Sequence, residues 1–183
     1  MMPQLEIYRW EDASILSHFN CDVPAMDNFI HNRLGQFLCK HDCQMYVVFD
    51  ANGDADPIAM FVVSKGKVSL DKEMKDNVHQ MEPVLYDSLM RYEQWQCGEF
   101  PALELDYLAI RKDYRGKHIG YALMNAIYSL AKRIVGDDCR FVGVDAYCTT
   151  QYSSVSFYRK CAFFVAGPLM PGEDTVRMFH ILS

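Results

Sequence analysis

Leu103-Glu104-Leu105-Asp106-Tyr107-Leu108-Ala109-Ile110 runs directly into Arg111-Lys112-Asp113-Tyr114-Arg115-Gly116-Lys117-His118-Ile119-Gly120. The first eight residues read as a buried strand, interrupted by two carboxylates. The next ten form a cationic turn with two glycines. Behind it Ile119, Ala122, Leu123, Ala126, Ile127, Leu130 and Ala131 recur at helical spacing and make one apolar face. The backbone amides of a strand–turn–helix junction, with the positive end of the helix dipole, suit a pyrophosphate. Gly116 and Gly120 remove side chains where a ligand approaches the backbone. Arg111, Lys112, Arg115 and Lys117 add charge. No Gly-Lys-Ser/Thr triplet closes the turn as in a P-loop, and three-glycine dinucleotide turns belong to a first βα unit. On these residues alone, a phosphate cradle and an ordinary βα turn both stay open.

Working outward, the chain reads as a mixed α/β plan. Leu5 to Trp10 alternates as a half-buried strand, and Ser14 to Phe19 reads as a short helix. A helix restarts at Pro24, with Asn20 or Asp22 expected to accept from its first-turn amides. Met26, Phe29, Ile30, Leu34, Phe37 and Leu38 carry its apolar face. Gln44 to Phe49 and Pro57 to Ser64 read as an antiparallel hairpin. Its turn contains Asn52-Gly53, a pair that accommodates positive φ. Residues 65–99 read as an insertion or lid, with a helix near Asp71 to Met81, a stop at Pro83 and a second helix near Leu85 to Gln96. After the central helix, Gly136 suits a left-handed cap. Arg140 to Tyr147 reads as a strand and Tyr152 to Lys160 as a short helix. Two closing strands, Ala162 to Ala166 and Val176 to Leu182, flank a turn at 168–172.

Composition bounds the function classes. The chain has 183 residues, half of them hydrophobic, enough for one domain with a real core. A net charge of −6 argues against a general nucleic-acid binder. The seven cysteines follow no spaced framework and read as reduced thiols in a cytoplasm, with no metal site expected. No apolar run reaches membrane-spanning length, and the first ten residues lack a secretory pattern.

A second motif adds to the first. Phe157-Tyr158-Arg159-Lys160-Cys161-Ala162-Phe163 resembles the Phe-Tyr-x-Lys-x-Gly-Phe signature of the GNAT superfamily of N-acetyltransferases. Arg115 to Gly120 resembles that family's Arg/Gln-x-x-Gly-x-Gly/Ala turn, in the expected order and separation. The resemblance implies a single N-acetyltransferase domain over residues 1–183. It also implies a mixed, mostly antiparallel sheet flanked by helices and splayed at an acetyl-CoA site. The cosubstrate would be held by Leu108, Ala109, Ile110, Arg115, Gly116, Lys117, His118, Ile119, Gly120 and Gln151. Tyr158 would protonate the departing thiolate. Glu104, or less readily Asp106, would act as general base, directly or through water; the bland reading is a carboxylate that lines the acceptor pocket or faces solvent. Cys161 packs rather than reacts.

Three departures stand out. His118 occupies the first motif glycine, tolerable if its φ is negative. Ala162 replaces the later glycine, a mild change. Gln151 stands where many relatives have Asn.

The leading expectation is therefore a cytoplasmic enzyme moving acetyl from acetyl-CoA to a primary amine of a small molecule or protein. Phe19 to Phe29 is similar to a toxin-like subgroup that acetylates aminoacyl-tRNA, which would imply a tRNA substrate and an antitoxin partner. A non-catalytic acyl-CoA-binding module is the reading from another class. A homodimer stays open.

Overall fold

Twelve residues of unbroken strand, Glu99–Ile110, form the longest element of the sheet. Their inward positions Phe100, Ala102, Leu103, Leu105 and Ala109 are buried. Such burial on both faces explains why the stretch reads as nearly continuous apolar sequence. The computed structural model describes residues 3–53, 55–81, 83–91, 94–166 and 172–182. Among them one open sheet has the order β1-β2-β3-β4-β5-β7-β6. Its strands are β1 (Leu5–Trp10), β2 (Cys43–Asp50), β3 (Ala59–Ser69), β4 (Glu99–Ile110), β5 (Phe141–Tyr147), β6 (Phe164–Val165) and β7 (Thr175–Ile181). The helices are α1 (Pro24–Asn32), α2 (Leu34–Lys40), α3 (Lys72–Met81), α4 (Pro83–Leu89), α5 (Gln94–Cys97), α6 (Ile119–Val135) and α7 (Val155–Lys160). This is the expected mixed α/β sheet flanked by helices. The chain divides into two compact units, Met1–Ser64 with Leu105–Ala126, and Lys65–Glu104 with Ile127–Ser183.

In the first unit, β1 pairs antiparallel with β2 and β2 with β3. The hairpin turn closes with Gly53 N–H donating to Asp50 at 2.9 Å. Neither Asn52 nor Gly53 takes positive φ, contrary to the sequence expectation; Asp50 Oδ1 accepts from Asn52 N–H instead and supports a turn with ordinary φ values. The expected early helix at Ser14 is a 3-10 turn at Ala13–Leu16. The long apolar helix is two, broken at Arg33, whose φ of −128° departs from helical geometry. Its cap is also different. Val23 is the N-cap and offers no side-chain bond. Asn20 Oδ1 instead accepts from Asp22 N–H, and Asp27 Oδ1 from Cys21 N–H, so these polar groups brace the loop before the helix.

In the second unit, β5, β6 and β7 pair antiparallel. Met74 and Val78 on α3, Leu89 on α4 and Trp95 on α5 are buried with Val68, Phe100, Phe141 and Phe179. The helices of residues 72–97 thus supply core to the sheet. The expected helix ends at Met81, before Pro83, and Pro83 also starts α4, because a missing N–H costs nothing in the first turn. The expected helix over 85–96 is the separate pair α4 and α5. Gly136 ends α6 at φ +123°, in the positive-φ range but not the left-handed helical geometry of a standard cap. Most of the expected 168–172 turn lies outside the described residues.

Candidate active site

The first unit builds a backbone cradle. Where β4 ends, Arg111 N–H donates to Ile58 at 2.8 Å and Lys112 N–H to Asn20 at 3.0 Å. These bonds fix the direction in which the chain leaves Leu108, Ala109 and Ile110. A 3-10 turn at Lys112–Tyr114 follows, then Gly116 at φ +74° and His118 at φ +60°. A Cβ at Gly116 would meet nothing within 4 Å, so glycine is needed there for its backbone angle and not for space. Tyr121 and Ala122 N–H both donate to His118, which makes His118 the N-terminal boundary of α6. Among the described residues, the amides of Gly116, Lys117, His118, Ile119 and Gly120 donate to no protein acceptor. Successive unengaged amides in alternating-hand conformations form an anion-binding concavity, and the dipole of α6 reinforces it.

His118 corrects the sequence expectation. Its φ is positive, not negative, so it holds the glycine conformation with a side chain attached. Its ring is exposed and lies 6.1 Å from that of Tyr121. Such a conformation costs about 1 kcal/mol for a residue with a Cβ. The cations divide. Arg115 and Lys117 are exposed, with Lys117 Nζ 4.4 Å from the Tyr114 ring. Arg111 is held by Asp113 at 2.8 Å, and this hydrogen bond keeps the Asp113 carboxyl below its ordinary pKa. Asp106 is half-buried, with its Oδ2 shielded from solvent. Its charge adds to burial in pushing up the Cys43 thiol.

The second unit carries Tyr158 on α7. The ring is buried against Phe157 and Phe163, at centroid distances of 5.1 and 5.2 Å. Among the described residues no group hydrogen-bonds its hydroxyl. Burial first, and then Tyr152, Cys161 and Tyr128 nearby, hold the phenol well above its ordinary pKa. It stays a protonated donor throughout the physiological range.

The end of α7 is a Schellman turn. Phe163 N–H donates to Tyr158 at 3.0 Å, Ala162 N–H to Arg159 at 3.1 Å, and Ala162 takes φ +60°. The replacement of glycine by Ala162 is therefore not mild in backbone terms. Sequence reasoning also missed the brace behind this turn. Tyr128 Oη donates to the Cys161 carbonyl at 2.9 Å, and its ring stacks at 4.1 Å on His180. His180 Nδ1 lies 3.2 Å from the Ala162 carbonyl. Burial pushes the Cys161 thiol up to about 11, so little nucleophilic thiolate forms at neutral pH. Gln151 is exposed, in the bend before α7.

Glu104 is paired and does not point into open solvent. Its Oε1 accepts from Arg177 Nη2 at 2.6 Å, and Arg177 Nη1 reaches Asp145 at 3.5 Å. Arg177 was not singled out in the sequence. It is 73 positions away in a strand whose neighbours are apolar.

Residues 83–164 match the family model described as an acetyltransferase (GNAT) domain. The similar solved structures span nearly the whole of this chain. A bacterial toxin superposes with a TM-score of 0.71 at 16% identity, covering 99% of this chain and 92% of its own. AtaTR bound with acetyl-CoA gives 0.64 at 19%, covering 97% and 94%. AtaT complexed with acetyl-methionyl-tRNAfMet gives 0.62 at 16%, covering 95% and 94%. At such identities the likeness is one of fold. No curated protein matches the chain in sequence. Among the described residues no cluster of three or more His, Cys, Asp or Glu could hold a metal, and no helix is long and apolar enough to cross a membrane.

Proposed function

We propose that this protein is an acetyl-CoA-dependent N-acetyltransferase that acetylates a primary amine. The observation that carries this reading is the run of five unengaged amides from Gly116 to Gly120 at the start of α6. It suits a pyrophosphate, which is the part of acetyl-CoA that a backbone concavity can hold. Arg115 and Lys117 add charge at its mouth, and the backbone of Leu108 to Ile110 at the end of β4 would pair with the pantetheine arm. Gln151 would contact the same cosubstrate.

The chemistry needs a proton for the leaving thiolate and an acceptor for the amine proton. Tyr158 supports the first role through its protonated, unpartnered hydroxyl. Glu104 is the candidate for the second, with Asp106 as the less favoured alternative. The test is release of CoA thiol from acetyl-CoA over a panel of polyamines, amino acids, aminoglycosides, peptides and charged tRNA. Turnover with one amine class, lost in Tyr158→Phe while acetyl-CoA binding persists, is the expected result. Binding with no turnover on any acceptor would instead indicate an acyl-CoA-binding module.

A second reading is an aminoacyl-tRNA acetylating toxin. It is favoured by the near-complete mutual coverage with AtaT and another bacterial toxin. The net charge of −6 weighs against a tRNA substrate. Growth arrest on expression with acetylated charged tRNA would support it. Normal growth and unmodified tRNA would remove it.

A further inference from the structure

On one face of the second unit the core residues Val68, Phe100, Ala102, Phe141 and Phe179 exclude water. One step along each strand the chemistry changes. Gly66 precedes Val68 on β3, Glu104 follows Ala102 on β4, Gly143 follows Phe141 on β5, and Arg177 precedes Phe179 on β7. The two-residue period of a strand puts all four on the same face as that core. The side chain of Glu104 lies across both glycines. A Cβ at Gly66 would overlap its Cγ and stand 2.7 Å from Oε1. A Cβ at Gly143 would stand 2.6 Å from Oε2 and 2.7 Å from Arg177 Nη2. Real Cβ atoms do not approach so closely, so these two strand glycines exist to let a carboxylate and a guanidinium lie flat. Arg177 is itself supported, with its guanidinium carbon 4.8 Å from the Phe179 ring. Its Nη2 takes Oε1 at 2.6 Å, and among the described residues Oε2 has no hydrogen-bond partner.

We propose that Arg177, over a floor of Gly66 and Gly143, is a positioning residue that sets Glu104 with Oε2 turned to receive the acceptor's proton. This rests on the acetyltransferase reading and on Glu104 as its base. In the step, the amine nitrogen bonds to the thioester carbonyl carbon and the carbon–sulfur bond breaks. The nitrogen's proton passes to Oε2, directly or through one water. The thiolate takes a proton from Tyr158, and the two residues then re-equilibrate with solvent. Among the described residues, Glu104 Oε1 is held by Arg177 from β7, which also reaches Asp145 from β5, and β3 places Gly66 beside Glu104.

The test uses the full chain, first in a thermal melt that establishes that each variant folds. The pH profile of CoA release from acetyl-CoA is measured beside it, with the panel's fastest amine or, where none reacts, with water. Arg177→Gln removes the guanidinium fork that holds Oε1 and should lower kcat/KM. It should also lower kcat about tenfold while the KM for acetyl-CoA holds. Arg177→Lys should restore only part of kcat, since an ammonium lacks the planar fork. Gly143→Ala keeps both charges and should lower kcat by displacing Oε2. If Glu104→Gln removes the acid limb but neither Arg177→Gln nor Gly143→Ala changes limb or kcat, Glu104 is the base and the positioning role is wrong. If Glu104→Gln keeps the limb and the turnover, the base assignment falls and takes this inference with it.

Discussion

The cradle at Gly116–Gly120 and the row Gly66–Glu104–Gly143–Arg177 are two ways of making a polar site in an apolar fold. The cradle is local and made of main chain. Gly116 has no side chain and Lys117 and His118 are exposed, which leaves five amides as the working groups. The row is non-local and made of side chains, with its backbone committed to a sheet. The lesson is that a backbone site tolerates substitution provided its φ angles survive, whereas a side-chain site must shift its groups to admit a single added carbon. The glycine-like φ of +60° at both His118 and Ala162 illustrates the first half. The clash that a Cβ would make at Gly66 or Gly143 illustrates the second.

The largest effect should come from the buried phenol that this comparison leaves outside both sites. Tyr158→Phe removes the proton donor and should lower kcat by about 100-fold or more, with acetyl-CoA affinity unchanged by calorimetry. Equal losses in binding and turnover would mean the ring, not the hydroxyl, matters. In the row, Gly66→Ala should destabilise the fold by about 1–3 kcal/mol in denaturant unfolding, as overpacking does. Arg177→Gln should cost about 1–2 kcal/mol, a charge-assisted bond discounted because a third of the Arg177 side chain is exposed. At the two non-glycine positions with glycine-like φ the sign reverses. His118→Gly and Ala162→Gly should each stabilise by up to about 1 kcal/mol, and His118→Gly should leave acetyl-CoA affinity intact. A large loss of affinity in His118→Gly would show that the imidazole, not the main chain, holds the ligand.

The smallest effect is a pH dependence. Burial raises the phenols of Tyr158 and Tyr128 in the folded chain. Their contribution to stability is therefore fully present below the unfolded phenol value of about 10, and is lost as pH rises from there through the folded values. Thermal melting in Tyr128→Phe should fall less steeply above about pH 10 than in the parent chain. An unchanged slope would mean that Tyr128 is not desolvated.

Legibility followed the range of the interaction. The strand from Leu103, the helix from Ile119 and the hairpin strands were readable because their signals repeat every two or 3.6 residues along the chain. The cradle was readable for the same reason, since ten consecutive residues contain it. Caps and turns were less so. Asn20 and Asp22 carry the right chemistry for a helix cap, but the bonds they make are with the loop, and only three-dimensional competition for those amides decides this. Asn52-Gly53 permits positive φ without requiring it. Pro83 can end one helix or begin another, and residues on both sides made it the first turn of α4.

Sequence alone determined the strand–turn–helix unit, the second motif around Tyr158 and the absence of any periodic alternative to an α/β plan, because each rests on neighbours in the chain. Only the tertiary structure decided that Glu104 faces Arg177 and that two strand glycines make room for the pair. It also decided that Tyr128 and His180 brace the turn behind Tyr158. Those groups come from different strands and helices, and the strand order β4-β5-β7 brings together residues that no spacing rule connects.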